Sequence, residues 1–239
     1  KRMPRLQNPG DLSPCPAFMA AAEDGRRDLF DGMDTMRERF MRRAKVVEYE
    51  RGDTICDVGS GKLALRYMSS GTASVLLPTP EGGEVLLGAV FKGMTVNISE
   101  MISGVNAHIF RAATKCIVYE LYCEEFLEQC RDPKFLRWCM WIMSRNIMFL
   151  SEFSSVRGIR NADLRLIEFL RVMAFQQNGS RPEGAFSVDW PLSQQLLAEL
   201  VNVSRPYLSE RIGRLQAEGV LKITGNTFAV TARGERPVQ

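Results

Sequence analysis

The sequence predicts an α+β chain: a strand-rich unit, a long helix, then a winged helix-turn-helix. Three observations predict this. Residues 45–120 break into short apolar runs separated by Gly- and Pro-bearing turns. Residues 132–158 carry apolar side chains at steps of four and three. Residues 192–231 hold two short amphipathic helices around a tight turn, with a strand pair behind them. At 239 residues and 45% hydrophobic, the chain is long enough to bury two cores.

Residues 1–25 mix Pro, Gly and charge and read as an irregular arm. The first folded unit is assigned to 26–131. It opens with a helical stretch over 26–44, with Phe30, Met33, Met36 and Phe40 apolar among Arg and Asp. Strand-like runs follow, such as Leu63–Met68, Ala73–Leu77, Val85–Val90, His108–Ala112 and Cys116–Leu121. Their regular spacing argues a sandwich or barrel.

The long helix is assigned to 132–158, with Asp132-Pro133 as its start. Leu136, Met140, Met143, Ile147 and Leu150 form a heptad-like seam of the kind that pairs two helices lengthwise. Trp138, Trp141, Ile142 and Phe149 widen the apolar face beyond that seam. A helix apolar on two sides needs two partners: its own barrel and a second subunit. An ordinary core helix is the plainer alternative.

The last unit is assigned to 161–239, with Asn161 or Asp163 capping its first helix. Ser193 is placed to cap a short helix through Leu200, with small Ala198 where two helices cross. Val201-Asn202-Val203 is the turn, and Asn202 suits its left-handed residue. Ser204 caps a second helix, Arg205 to about Glu218, with Pro206 in its first turn. Leu208, Ile212 and Leu215 are spaced to face inward, leaving Arg205, Tyr207, Ser209, Glu210 and Arg214 outside. Gly219 ends the helix, and two strands around Gly225-Asn226 follow.

That order of parts assigns jobs. The second helix would enter a DNA major groove, where Arg205 can donate two bonds to a guanine edge. Ser193, Gln194 and Gln195 stand at a helix start suited to gripping phosphates. Charge contributes little: residues 161–239 carry nine Lys+Arg against eight Asp+Glu, and the whole chain is +3. Contacts must therefore come from locally placed groups.

On these residues the chain resembles the cyclic-AMP receptor protein/FNR (Crp/Fnr) superfamily of bacterial transcription regulators. The strongest stretches are Leu192–Leu221 and Leu65-Arg66-Tyr67-Met68-Ser69-Ser70-Gly71. The resemblance implies that the first unit is a β-roll, a double-stranded β-helix of the cyclic-nucleotide-binding type. It also implies a homodimer on a near-palindromic duplex, controlled by an effector in the roll. RNA polymerase is the expected further partner.

The chain departs from the family pattern at informative places. Pro206 and Glu210 stand where many members carry Glu and a second Arg, so the half-site should differ from the usual one. Cyclic-AMP binders carry a Gly-Glu-Leu segment and then an Arg-Ser pair. Here Asn106 replaces the phosphate-binding arginine, and Val96 or Asn97 the ribose-binding glutamate. A phosphate without its guanidinium loses charge-assisted bidentate bonds, so no tight binding of cyclic AMP is expected.

A small organic effector between roll and long helix is expected instead. Candidate lining residues are Tyr67, Met94, Asn97, Met101, Asn106, His108, Trp138 and Trp141; all can equally be core. No cofactor or metal is expected. An iron–sulfur cluster is disfavoured because the arm has one cysteine, Cys15. Haem on His108, the sole histidine, and thiol redox sensing are the remaining alternatives. One histidine is too few for a metal enzyme on a β-roll. A ligand-binding protein with an inert DNA domain is the other rival. No apolar run spans a bilayer, no secretory core follows Lys1, and no C-x-x-C pair occurs, so the expected setting is the reducing cytoplasm.

Overall fold

The computed structural model describes residues 33–178, 182–190 and 192–231. The arm assigned to 1–25 lies outside the described residues. The first unit begins with α1 (Met33–Arg43) and runs through β1 (Lys45–Tyr49), β2 (Thr54–Cys56), β3 (Ala64–Ser70) and β4 (Thr72–Pro78). It continues with β5 (Glu84–Phe91), β6 (Thr95–Val96), α2 (Ile98–Ser103), β7 (Ile109–Ala112) and β8 (Cys116–Tyr122). These strands form two four-stranded antiparallel sheets, ordered β1-β8-β3-β6 and β2-β7-β4-β5. Ile55, Met68, Ala73, Val90, Phe110, Ala112 and Val118 make the roll's apolar filling.

The chain passes from one sheet to the other at Gly71, whose φ of 86° no L side chain adopts cheaply. A Cβ there would stand 2.3 Å from the Lys115 carbonyl oxygen. The short helix α2 was not foreseen; its stretch reads in sequence only as the altered nucleotide cassette. Asn97 precedes it with a left-handed φ of 68°, and Gly104 closes it with φ 78°.

After α3 (Cys123–Gln129) comes the long helix α4 (Pro133–Arg157). Asp132 caps it, accepting from the Lys134 N–H at 2.9 Å, and Pro133 sits where its missing N–H costs nothing. One face of α4 is buried. Its first half packs Phe135, Trp138, Cys139 and Ile142 with Phe40, Leu65 and Leu121 of the roll. Its second half packs Phe149, Phe153 and Val156 with the C-terminal unit.

That unit comprises α5 (Ala162–Asn178), β9 (Phe186–Asp189), α6 (Gln194–Leu200), α7 (Arg205–Ala217), β10 (Leu221–Thr224) and β11 (Thr227–Val230). Asn161, not Asp163, caps α5: its Oδ1 accepts from the N–H groups of Asp163 and Leu164 at 2.9 and 3.1 Å. The wing is three strands rather than the expected two, because β9 adds to β11. Phe186 and Val188 alternate inward along it, but four residues are too few for a period-two signal to stand out.

Five aromatic rings join the roll, α4 and the C-terminal unit. Phe91 of β5 lies 6.2 Å from Phe149 and 6.3 Å from Trp190. Phe153 follows Phe149 at 6.2 Å, Phe169 follows Phe153 at 6.0 Å, and Trp190 closes the circuit at 5.5 Å from Phe169.

Candidate nucleic-acid interface and effector cleft

The recognition geometry starts from two serine caps. Ser193 accepts from the Leu196 N–H at 3.2 Å and Ser204 from the Tyr207 N–H at 3.4 Å. Asn202 supplies the left-handed residue of the turn, φ 54°. Ala198 is fully buried where α6 crosses α7. Leu208, Ile212 and Leu215 anchor α7 in the core, which fixes its opposite face outward. Arg205, Tyr207, Ser209, Glu210 and Arg214 are all exposed there.

These outward residues are not equivalent. Ser209 donates to the Gln194 side chain at 3.1 Å, so the starts of α6 and α7 share one polar surface. Gln195 instead donates to Glu199 on its own helix at 2.7 Å. Arg214 pairs with Glu218 at 2.7 Å. It lies nine residues after Arg205, roughly 13 Å further along the axis at 1.5 Å per residue. Arg205 stands at the open N-terminal end, with no ion-pair or hydrogen-bond partner among the described residues.

Two arginines that sequence reasoning passed over hold this surface in place. Arg211 reaches from α7 to the buried Asp163 of α5, with two hydrogen bonds to one carboxylate; Nε to Oδ1 is 2.6 Å. That bond pushes the Arg211 pKa up. Arg165 donates to the carbonyls of Ile159 and Asn202, at 2.7 and 3.5 Å, tying the hinge to the helix-turn-helix turn. Both pairings join residues more than 30 apart or carbonyls of irregular backbone, which no local pattern reveals.

With this geometry in view, residues 164–234 match the family model of the Crp-like helix-turn-helix domain. The C-terminal unit is thus similar to a Crp-like helix-turn-helix domain. It is 24% identical over 202 residues to the CRP-like protein Clp of Xanthomonas euvesicatoria pv. vesicatoria, covering 81% of this chain and 86% of Clp. Its fold is similar to that of the c-di-GMP-responsive global regulator Clp of Xanthomonas campestris. The TM-score is 0.62 at 22% identity, over 83% of this chain and 99% of that one. A CRP-family transcriptional regulator of Thermus thermophilus superposes with a TM-score of 0.63 at 18% identity, over 80% of this chain and 95% of that one. Over most of its length the chain thus has the fold of these regulators.

At the place of the Crp/Fnr nucleotide cassette, the chain's own side chains satisfy one another. Asn106 donates to Ser60 Oγ at 2.8 Å and accepts from Asn97 at 3.4 Å. Arg66 donates to Asn97 Oδ1 and to Glu120, both at 2.9 Å. Tyr49 and Tyr122 donate to the same Glu120 carboxylate at 2.8 and 2.9 Å. Burial and that anion push the Tyr49 pKa well up. Arg66, Asn97, Asn106 and Glu120 are all buried, so a phosphate would have to break a closed network.

The expected effector pocket therefore divides. A cleft of about 80 Å³ lies between roll and helices. The roll contributes Tyr67, Gly93, Met94 and Thr95. Helix α4 contributes Trp138, Trp141, Ile142, Arg145, Asn146 and Phe149, with Arg37 from α1 and Gln176 from α5 completing the wall. Tyr67, Met94, Trp138 and Trp141 are thus brought together. Asn97, Met101, Asn106 and His108 are not: the asparagines belong to the network just described and Met101 packs in the roll–α4 core. His108 Nδ1 is 2.9 Å from the buried Glu100 Oε1, away from the cleft. Among the described residues no group of His, Cys, Asp and Glu is arranged to hold a metal, and the five described cysteines are free thiols.

On the outer side of α4, Leu136, Met140, Ile147 and Leu150 are 43, 67, 59 and 54% exposed. Met143 is half-buried against the roll–α4 core instead. No helix of the described residues is long and apolar enough to cross a membrane.

Proposed function

We propose that this chain is a homodimeric, sequence-specific DNA-binding regulator, controlled by a small-molecule effector other than cyclic AMP. The observation that carries the reading is Arg205: an exposed guanidinium one residue after the Ser204 cap, on a helix whose other face is locked in the core. A helix so anchored presents its N-terminal turn to a major groove, with Arg205 toward a guanine edge. Tyr207, Ser209 and Glu210 are the neighbouring readers, and Ser193, Gln194 and Ser204 take phosphates. Gln195 and Arg214, engaged within their own helices, take a lesser part.

The row Leu136, Met140, Ile147 and Leu150 supports the dimer. Four large apolar side chains on one exposed helix face bury themselves against the same row of a second copy. The closed Asn106–Asn97–Arg66–Glu120 network supports an effector other than cyclic AMP. The Clp relative of X. campestris, responsive to c-di-GMP, shows the same fold serving another effector.

The test is selection of a binding site from random duplexes, followed by titration of Arg205→Ala on the selected site. A bidentate guanine contact contributes about 1–3 kcal/mol of discrimination, or roughly 5- to 150-fold. Unchanged affinity would refute the groove assignment, and failure to select any site would favour an inert DNA domain. Calorimetry with cyclic AMP should show no micromolar binding.

A further inference from the structure

We propose that Glu210 reads the exocyclic amine of a cytosine, on a crest of α7 that Gly213 keeps low enough for the groove to close. The half-site then carries a cytosine for Glu210 near the guanine for Arg205. This deepens the duplex reading above and rests on it.

The helical period places Glu210. Leu208, Ile212 and Leu215 point into the core. At about 3.6 residues per turn, the opposite line of α7 is Pro206, Glu210, Gly213 and Ala217. All four are exposed. Pro, Gly and Ala side chains carry no hydrogen-bonding group, so Glu210 is the polar side chain of that crest.

The ion pairs of α7 leave Glu210 out. Arg211, next to it, gives its bonds to Asp163 of α5. Arg214, four residues on, is 2.7 Å from Glu218. Glu210 itself has no hydrogen bond or ion pair among the described residues. A carboxylate carried into a groove walled by phosphates is repelled unless a donor meets it. The major-groove edge of cytosine presents an amine alone. Adenine sets an N7 acceptor beside its amine, and guanine and thymine present acceptors. Glu210 lies five residues beyond Arg205, roughly 7.5 Å along the axis, which corresponds to about two or three base pairs.

A second observation is independent of charge. A glycine inside a helix weakens it relative to alanine. Gly213 lies inside α7, its φ is not positive, and a Cβ built there would meet nothing within 4 Å. Neither the backbone angle nor the packing of the chain therefore calls for glycine. A surface that approaches the helix closely does. Gly213 follows Glu210 on the same crest, so the surface that needs room is the one Glu210 faces.

Selection from random duplexes by the full chain, repeated with Glu210→Ala, tests the assignment. The parent should select a C·G pair within about three base pairs of the guanine whose preference Arg205→Ala abolishes. Replacing that pair should weaken the parent roughly 5- to 150-fold. Glu210→Ala should bind all four pairs alike at that position. It should also bind an unselected duplex more tightly than the parent, which loss of a merely structural residue would not bring about. Gly213→Ala should raise the thermal midpoint of the free chain and yet weaken binding to the selected duplex. A raised midpoint with unchanged duplex affinity would overturn the close approach. An A·T or T·A pair at the position that depends on Glu210 would overturn the cytosine assignment. So would a preference shared by parent and Glu210→Ala, while a guanine still lost with Arg205→Ala would leave the duplex reading standing. No selected site at all would sink both.

Discussion

Replacing Arg211 by Met should loosen the recognition helix at its charged tether to α5. The Asp163 side chain is 2% exposed and that of Arg211 17%. Removing one partner of a buried ion pair costs about 3–5 kcal/mol, because the other charge stays behind without compensation. Two features soften that here. Asp163 lies in the first turn of α5, where the helix dipole stabilises a carboxylate by about 0.3–1 kcal/mol. The rim around Arg211 also admits solvent. The expected loss is therefore roughly 2–3 kcal/mol. Asp163→Asn should cost less, about 1–2 kcal/mol, since the freed guanidinium can turn to water.

The double variant should fall short of the sum of the singles by at least about 1 kcal/mol, the sign of direct coupling. Arg211→Lys should recover only part, because an ammonium cannot make the two parallel bonds. Urea unfolding of the full chain, with an uncharged denaturant, gives all four values. Titration of the selected duplex should show weaker binding by Arg211→Met, although Arg211 faces α5 and not the duplex. Stability within about 0.5 kcal/mol of the parent, or strict additivity, would refute the tether.

Gly71→Ala should cost at least about 2 kcal/mol, since φ is 86° and the new Cβ would meet Lys115 O at 2.3 Å and Cys116 Sγ at 2.8 Å; urea unfolding measures it. On the proposed dimer, Met140→Glu should give a monomer in sedimentation where the parent chain sediments as a dimer, with no loss of the chain's own thermal midpoint, because Met140 is 67% exposed and contributes nothing to the core. Burial pushes the Cys139 thiol up to about 12, from an ordinary value of 9.0. The folded thiol then keeps a proton that the unfolded chain releases. Its contribution to stability should be steady below pH 9 and decline as the pH rises from 9 towards 12. Iodoacetamide at about pH 8, below the ordinary thiol value, should leave Cys139 unlabelled until urea unfolds the chain.

Much of the site was legible because its signals are local. Ser193 and Ser204 cap within three residues of themselves, Asn202 answers a backbone angle, and Leu208, Ile212 and Leu215 follow the helical period. Leu136, Met140, Ile147 and Leu150 repeat at steps of four, three or seven, and the structure leaves all four outside. Met143, in the same repeat, is half-buried because the core between roll and α4 extends over it, which no repeat along the helix reports. The strand β9 and the helix α2 escaped notice because each is too short to show a period.

By itself the sequence determined the order of strand-rich unit, long helix and helix-turn-helix, the caps and the outward face of α7. Each depends on neighbours within a few residues or on a repeat. Only the tertiary structure decided which polar residues meet. It closed Asn97 and Asn106 into a network with Arg66 and Glu120 across 54 residues of chain, and took them out of the effector cleft. It set Arg211 on Asp163 across 48 residues, and left the Thr95 hydroxyl buried without a hydrogen-bond partner. The physical reason is that a buried charge or hydroxyl is satisfied by whatever the fold brings within about 3 Å, and sequence separation carries no information about that distance.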